Sequence, residues 1–171
     1  MPEQQLEFRK ANMQDAPEIW AILQEAIKRR RLDGSNQWQD GYPNLSTVEN
    51  DISQARNYVL VLNRKIIATG ALIFNEEPAY EKIEGAWLSE GEFLVVHRVA
   101  VSDEVAGKGF ATRFFTYFED FAKDNGVYSI KVDTNFDNKA MLRILEKLGY
   151  TYCGEVDMRG SPRKAFEKVL V

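Results

Sequence analysis

Residues 94–115 read LVVHRVAVSDEVAGKGFATRFF, and this stretch decides the fold. Val95, Val96, Val99 and Val101 are β-branched, and branched side chains pack well on a pleated surface, so Phe93 to Val101 is expected as a strand. Ser102, Asp103 and Glu104 then break the apolar run. Gly107 and Gly109 follow, just ahead of Phe110, Phe114, Phe118 and Phe121, which recur at helical spacing. A helix that opens out of such a loop exposes amides with no intrahelical acceptor, at the end where the helix dipole favours negative charge. Glycine lets the main chain come close to a bulky anion. A pyrophosphate suits that place.

Downstream, Tyr128 to Asp133 reads as a further strand, so the chain contains a strand–helix–strand unit whose crossover requires parallel pairing. Asn138 opens the next helix, AMLRILEKLGY, with Met141, Leu142, Leu145 and Leu148 toward the interior and Gly149 as its stop. Thr151 to Val156 and Arg163 to Val169 are expected as the last two strands, turning around Gly160-Ser161-Pro162. The aromatic stripe of the helix after Gly109 reads as core, and Asn125-Gly126 closes that helix.

Upstream, Leu6 to Lys10 alternates as a first strand. Ile19, Trp20, Ile22, Leu23, Ala26 and Ile27 form the apolar face of a helix, with Asp15 as its expected N-cap and the basic run Lys28 to Arg31 at its C-terminus. That run suits the dipole, or else a phosphate or substrate contact. The segment LDGSNQWQDGYPN is turn-rich, and its Trp38 and Tyr42 either cover the core edge or wall a substrate pocket. A short helix from Leu45 to Ala55, capped by Ser46, follows. Two strands, Tyr58 to Leu62 and Lys65 to Phe74, meet at an Asn63-Arg64 turn, and Gly70 is expected to mark a bulge. Residues 75–92, NEEPAYEKIEGAWLSEGE, lack period-2 patterning and read as the longest irregular connection, of a length that is often functional.

Composition sets limits on these readings. At 171 residues, with 44% hydrophobic and 28% charged side chains, the chain is expected to form one domain, 1–171. A net charge of −4 argues against a general nucleic-acid surface, and no apolar run nears the roughly 18 residues that span a bilayer. The N-terminal MPEQQLEFRK is polar and unlike a signal peptide, and the single cysteine, Cys153, has no internal disulfide partner. A cytoplasmic location is the default expectation. No spacing suggests a metal site.

The β α α β β β α β α β β order and three passages together resemble the GNAT superfamily of acyl-CoA-dependent N-acetyltransferases. The passages are Val99-Ala100-Val101 followed by AGKGFA, then NKAMLRILEKLGY, then CGEV before a final strand. The resemblance implies a mixed α/β fold: a central, mostly antiparallel sheet of about seven strands with helices on both faces. It implies acetyl-CoA as cosubstrate, with no metal. Its pantetheine arm would lie along Val99, Ala100 and Val101. Its pyrophosphate would sit on the loop that begins at Ala106, held by the amides of Gly107, Lys108, Gly109, Phe110, Ala111 and Thr112, with Asn138 approaching from the next helix. Two positions depart from the family pattern: Ala106 replaces the usual arginine or glutamine, and Leu145 replaces a tyrosine that protonates the leaving thiolate.

The activity implied is direct acetyl transfer, in a ternary complex, to the amine of a small molecule. The alternatives are a non-catalytic acyl-CoA-binding or sensor domain, or a protein or peptide N-acetyltransferase. Acyl transfer needs a donor for the developing oxyanion, and the Val99 amide is the family's choice. It also gains from a base. His97, the only histidine, is two residues before Val99 and is expected on the same face by strand alternation. It serves as the base or else as a hydrogen-bonded structural residue. Glu92 is a second base candidate, and its alternative is an exposed loop carboxylate. Arg98, on the opposite face, suits a buried ion pair. Asp133 would bind the substrate amine or pair with Arg98. Trp38 and Tyr42 complete the candidate acceptor site. No nucleic acid or membrane partner is expected, and a homodimer is left open.

Overall fold

The computed structural model describes residues 4–171, so the first three residues of the N-terminal stretch lie outside the described residues. The strands are β1 (Leu6–Lys10), β2 (Asn57–Leu62), β3 (Lys65–Phe74), β4 (Glu84–Gly85), β5 (Leu94–Val101), β6 (Ser129–Thr134), β7 (Thr151–Met158) and β8 (Ser161–Val169). The helices are α1 (Ala16–Leu32), α2 (Leu45–Ser53), α3 (Phe110–Asp124) and α4 (Lys139–Lys147). The strands form one eight-stranded sheet in the order β1-β2-β3-β5-β6-β8-β7-β4. Among the described pairings β5 with β6 is parallel and the others are antiparallel, as the α3 crossover requires. The mixed α/β, mostly antiparallel sheet expected from the sequence is thus present, and β4 raises its strand number to eight. Among the described residues, no helix is long and apolar enough to cross a membrane.

The chain folds into two compact units, Met1–Leu72 with Arg98–Phe114, and Ile73–His97 with Phe115–Val171. In the first unit, Ile19, Ile22, Leu23 and Ala26 of α1 pack with Val48 and Ile52 of α2, Val59 and Val61 of β2, and Ala100 of β5. Each isoleucine, leucine or valine among them, fully buried, contributes roughly 1.5–3 kcal/mol.

Helix starts in this unit differ from expectation. Asp15 stands at the N-cap position of α1 but makes no side-chain cap bond to it; instead it closes a capping box with Asn12 over the 3-10 turn Met13–Asp15, accepting the Asn12 amide at 2.8 Å. The same carboxylate accepts from Arg9, whose Nη1 and Nη2 donate to its two oxygens at 2.7 and 3.1 Å. Asn44, rather than Ser46, caps α2, accepting the Thr47 amide at 3.0 Å, and the helix ends at Ser53. The Asn63-Arg64 turn forms as expected, with φ of 49° and 70°. Gly70, however, stays in register opposite Tyr58. The extra residue is Ile67, between the pairs Leu60–Ala68 and Val61–Ile66, and its carbonyl accepts the Ser102 amide at 2.8 Å.

In the second unit the segment 75–92 is more ordered than its composition suggests. It contains a 3-10 turn at Pro78–Lys82 and the short strand β4, which pairs with β7 through Glu84–Glu155 and Gly85–Gly154. The two glycines touch so closely that a Cβ on Gly154 would lie 2.2 Å from the Glu84 carbonyl oxygen. Sheet residues hold the rest of the segment. Lys131 of β6 places its ammonium 4.6 Å from the Trp87 ring centre and 4.0 Å from that of Phe93. Glu167 of β8, fully buried, accepts from the Leu88 amide at 2.7 Å, from the Ser129 hydroxyl at 2.7 Å and from the Ser89 hydroxyl. A buried carboxylate is tolerated because its lone pairs are satisfied.

The β7–β8 hairpin is longer than expected. Its turn is Arg159-Gly160, with φ of 55° and 79°, and Pro162 pairs with Asp157 inside the ladder. The α3 stripe is core, as read: Phe114, Phe115 and Phe118 are fully buried.

Candidate active site

β5 and β6 pair only through Leu94–Ile130, Val95–Lys131 and Val96–Val132. The first residues past that ladder are His97 and Asp133, so two polar side chains come together where the hydrogen-bonded register stops. The next residue of β5, Arg98, has a φ of 52°. A non-glycine residue in the left-handed region costs about 1–3 kcal/mol and persists only where its surroundings hold it. Here Asp51 of α2 does so, accepting from Arg98 Nε at 2.9 Å and from Nη2 at 2.7 Å, while the Tyr42 hydroxyl accepts from Nη1 at 2.7 Å. The kink departs from the extended backbone that a two-residue repeat between His97 and Val99 assumes. The expected buried ion pair of Arg98 is present, and its partner is Asp51.

In the second unit, His97 Nε2 lies 2.8 Å from Glu77 Oε2, and His97 Nδ1 lies 3.9 Å from Asp133 Oδ1. The Tyr80 hydroxyl donates to Asp133 Oδ1 at 2.5 Å, and Arg163 Nη1 stands 3.8 Å from Oδ2. Burial, reinforced by the Asp133 carboxylate, pushes the Tyr80 phenol well above its ordinary range, so it remains an O–H donor. The cluster is a carboxylate–imidazole–carboxylate–phenol chain. Its side chains are nearly enclosed, Asp133 at 4% and His97 at 12% exposure.

In the first unit, the loop after β5 makes a 3-10 turn at Asp103–Val105 and then carries Gly107 and Gly109 with φ of 77° and 82°. A Cβ at either glycine would meet nothing within 4 Å, so conformation rather than crowding calls for glycine there. Ala106, Gly107, Lys108 and Gly109 are exposed. The amides of Phe110 and Ala111 open α3, where intrahelical acceptors are lacking, and Arg113 donates back to Gly109 at 3.2 Å. Successive amides in this conformation form an anion-binding concavity. Val99 is half-buried and Ala100 buried, while the Val101 carbonyl accepts from Arg29 at 2.8 Å. Arg29 also pairs with Asp103 at 3.0 Å, so part of the Lys28–Arg31 run ties α1 to the loop.

The remaining candidates divide. Asp133 meets His97, Tyr80 and Arg163, and Arg98 is instead matched to Asp51. Tyr42 supports Arg98, and Trp38 packs against the α1–α2 core, which favours the core-edge reading for both. Glu92 is exposed, two residues before β5, whereas Glu77 lies within hydrogen-bond distance of the imidazole and Asp133 stands 3.9 Å from it. Asn138 caps α4, accepting the Met141 amide at 3.2 Å. Leu145 is fully buried. Sequence reasoning missed Glu77 and Tyr80. The Glu77-Pro78 pair signals a helical start, yet no spacing rule links it to a histidine 20 residues away. Among the described residues no group of three or more His, Cys, Asp or Glu could hold a metal ion.

Residues 18–150 match the family model described as the Acetyltransferase (GNAT) family. The crystal structure of a GNAT-family acetyltransferase from Streptococcus agalactiae is 32% identical, with a TM-score of 0.91 over 97% of this chain and 96% of that one. The chain belongs to the GNAT family of acetyltransferases. A GNAT-family acetyltransferase from Listeria monocytogenes is 16% identical, with a TM-score of 0.76 over 96% of this chain and 95% of that one. An N-acetyltransferase from Staphylococcus aureus is 17% identical, with a TM-score of 0.69 over 98% and 99%. These two share the fold. No curated protein matches the sequence.

Proposed function

We propose that the protein is a single-domain N-acetyltransferase that moves the acetyl group of acetyl-CoA directly to the amine of a small molecule. The observation that carries this reading is the loop from Ala106 to Thr112, where two left-handed glycines lead into the start of α3, whose first amides lack intrahelical acceptors, in a GNAT-family chain. Those amides hold the pyrophosphate, with Lys108 supplying charge in place of the cation absent at Ala106. The pantetheine arm follows Val99, Ala100 and Val101. The cosubstrate supplies the thioester. The Val99 amide donates to the carbonyl oxygen as negative charge develops there. His97 takes the proton from the attacking nitrogen, a contribution of about 10²–10⁴ in rate. With Leu145 in the tyrosine position, the sulfur leaves as thiolate and is protonated from solvent. Glu77 and Asp133 beside His97 favour a cationic acceptor, which supports a small polyamine-like substrate over a neutral one.

The absent tyrosine also suits a coenzyme-binding domain without catalysis. Thiol release from acetyl-CoA, measured against a panel of small amines and N-terminal peptides, with mass detection of the N-acetylated product, separates these readings. Amine-dependent release with a small-molecule product supports the proposal. Release with peptides alone moves the acceptor to a protein. Coenzyme binding with no release for any amine removes the enzyme.

A further inference from the structure

We infer that Glu77 is a positioning residue for His97: by accepting the Nε2–H it makes Nδ1 the nitrogen that takes the proton. The inference rests on the reading of His97 as the base. A neutral imidazole carries one N–H, and an ionised carboxylate can only accept, so a carboxylate 2.8 Å from Nε2 selects the tautomer with hydrogen there. Glu77 is well placed to do this. It sits at the N-cap of the Pro78–Lys82 turn, its other oxygen accepts the Ala79 amide at 3.4 Å, and its side chain is 16% exposed.

The same turn disposes of the competing carboxylate. Tyr80 donates to Asp133 Oδ1, the oxygen nearest Nδ1, and at 3.9 Å that oxygen is beyond hydrogen-bond reach of the ring. One short turn therefore orients the imidazole through Glu77 and occupies Asp133 through Tyr80. The titratable and charged groups that face His97 are Glu77 and Tyr80 from this turn, Asp133 from β6, and Arg163 of β8 through Asp133. The segment 75–92 is thereby part of the catalytic apparatus and more than a cover for the sheet.

Because His97 is the only histidine, the imidazole nitrogens of the full chain give a single spin system in a ¹⁵N-labelled sample. The wild type is expected to show the Nε2–H tautomer when neutral. Glu77→Gln is expected to mix the tautomers. Thiol release should fall together with the loss of the Nε2–H tautomer in Glu77→Gln, while a merely structural role would lower release and leave the tautomer unchanged. A wild-type Nδ1–H tautomer, or a tautomer identical in wild type and Glu77→Gln, overturns the inference. The wild-type spectrum decides even if the variant does not fold. Should wild type release no thiol with any amine, the acetyltransferase reading fails, and the tautomer still decides whether Glu77 orients the ring.

Discussion

Replacing Asp51 by asparagine removes the charge that holds the kink of β5. Arg98 stays enclosed, at 15% side-chain exposure, and Asp51 is more so at 6%, so solvent does little to replace the lost partner. Breaking a buried pair by neutralising one member costs about 3–5 kcal/mol. Asparagine keeps one acceptor oxygen, and the Tyr42 hydroxyl still accepts from Nη1, which places Asp51→Asn near the lower end, at about 3 kcal/mol. In a chain of this size each kcal/mol lowers the Tm by roughly 2–4 °C, so a fall of about 6–12 °C is expected. Thermal unfolding by circular dichroism measures it. The strained φ of Arg98 loses its support at the same time, so hydrogen exchange at the Val99 and Ala100 amides should accelerate. Tyr42→Phe should cost about 1 kcal/mol, and the double variant should depart from additivity because both partners meet one guanidinium. A Tm drop of less than about 2 °C with unchanged exchange would refute the idea that this pair holds the kink.

Asp15 predicts an acid sensitivity. The Arg9 hydrogen bond, outweighing burial, holds its carboxyl below the usual range, so the stability it contributes is complete above the unfolded-state value, about pH 4, and is lost as pH falls through the lower folded-state value. Urea midpoints should therefore fall more steeply below pH 4 in the wild type than in Asp15→Asn; parallel profiles would contradict this. Gly154→Ala drives a Cβ to 2.2 Å from the Glu84 carbonyl oxygen at a φ of 137°, and should cost about 3 kcal/mol from overpacking and strain together, read as a lowered urea midpoint. Tyr150→Phe should leave the Tm unchanged or raise it, because the buried Tyr150 hydroxyl has no hydrogen-bond partner among the described residues and an unsatisfied buried group is a cost of about 1–3 kcal/mol; a clear fall would show that the hydroxyl is satisfied.

The parts legible in the sequence are those fixed by neighbours along the chain. The valines of β5, Gly107 and Gly109, the Asn63-Arg64 turn and the Asn138 cap each follow from local propensity or a local hydrogen bond. What escaped was set by contacts between distant residues. Asp15 sits at the expected N-cap position, but its carboxylate turns to the Asn12 amide and to Arg9 on the preceding strand rather than to the amides of α1. Glu77 reaches His97 only once the Pro78–Lys82 turn lies on the sheet, and the acidic composition of 75–92 hides that Asp133, Lys131 and Glu167 are waiting for it. The face of Val99 could not be read by alternation because the alternation rule assumes extended backbone, and Arg98 at a φ of 52° breaks it. β4 has two residues, too few for any periodicity, and is marked only by two glycines in contact.

The central claim is that coenzyme binding and proton removal belong to different parts of the chain, the loop at Gly107–Thr112 and the imidazole of His97. The most direct test measures both in one variant. In His97→Ala, coenzyme A affinity by calorimetry should stay within about twofold of wild type, while amine-dependent thiol release falls about 10²–10⁴-fold. Release that is unchanged in His97→Ala, or lost together with coenzyme binding, would contradict the account.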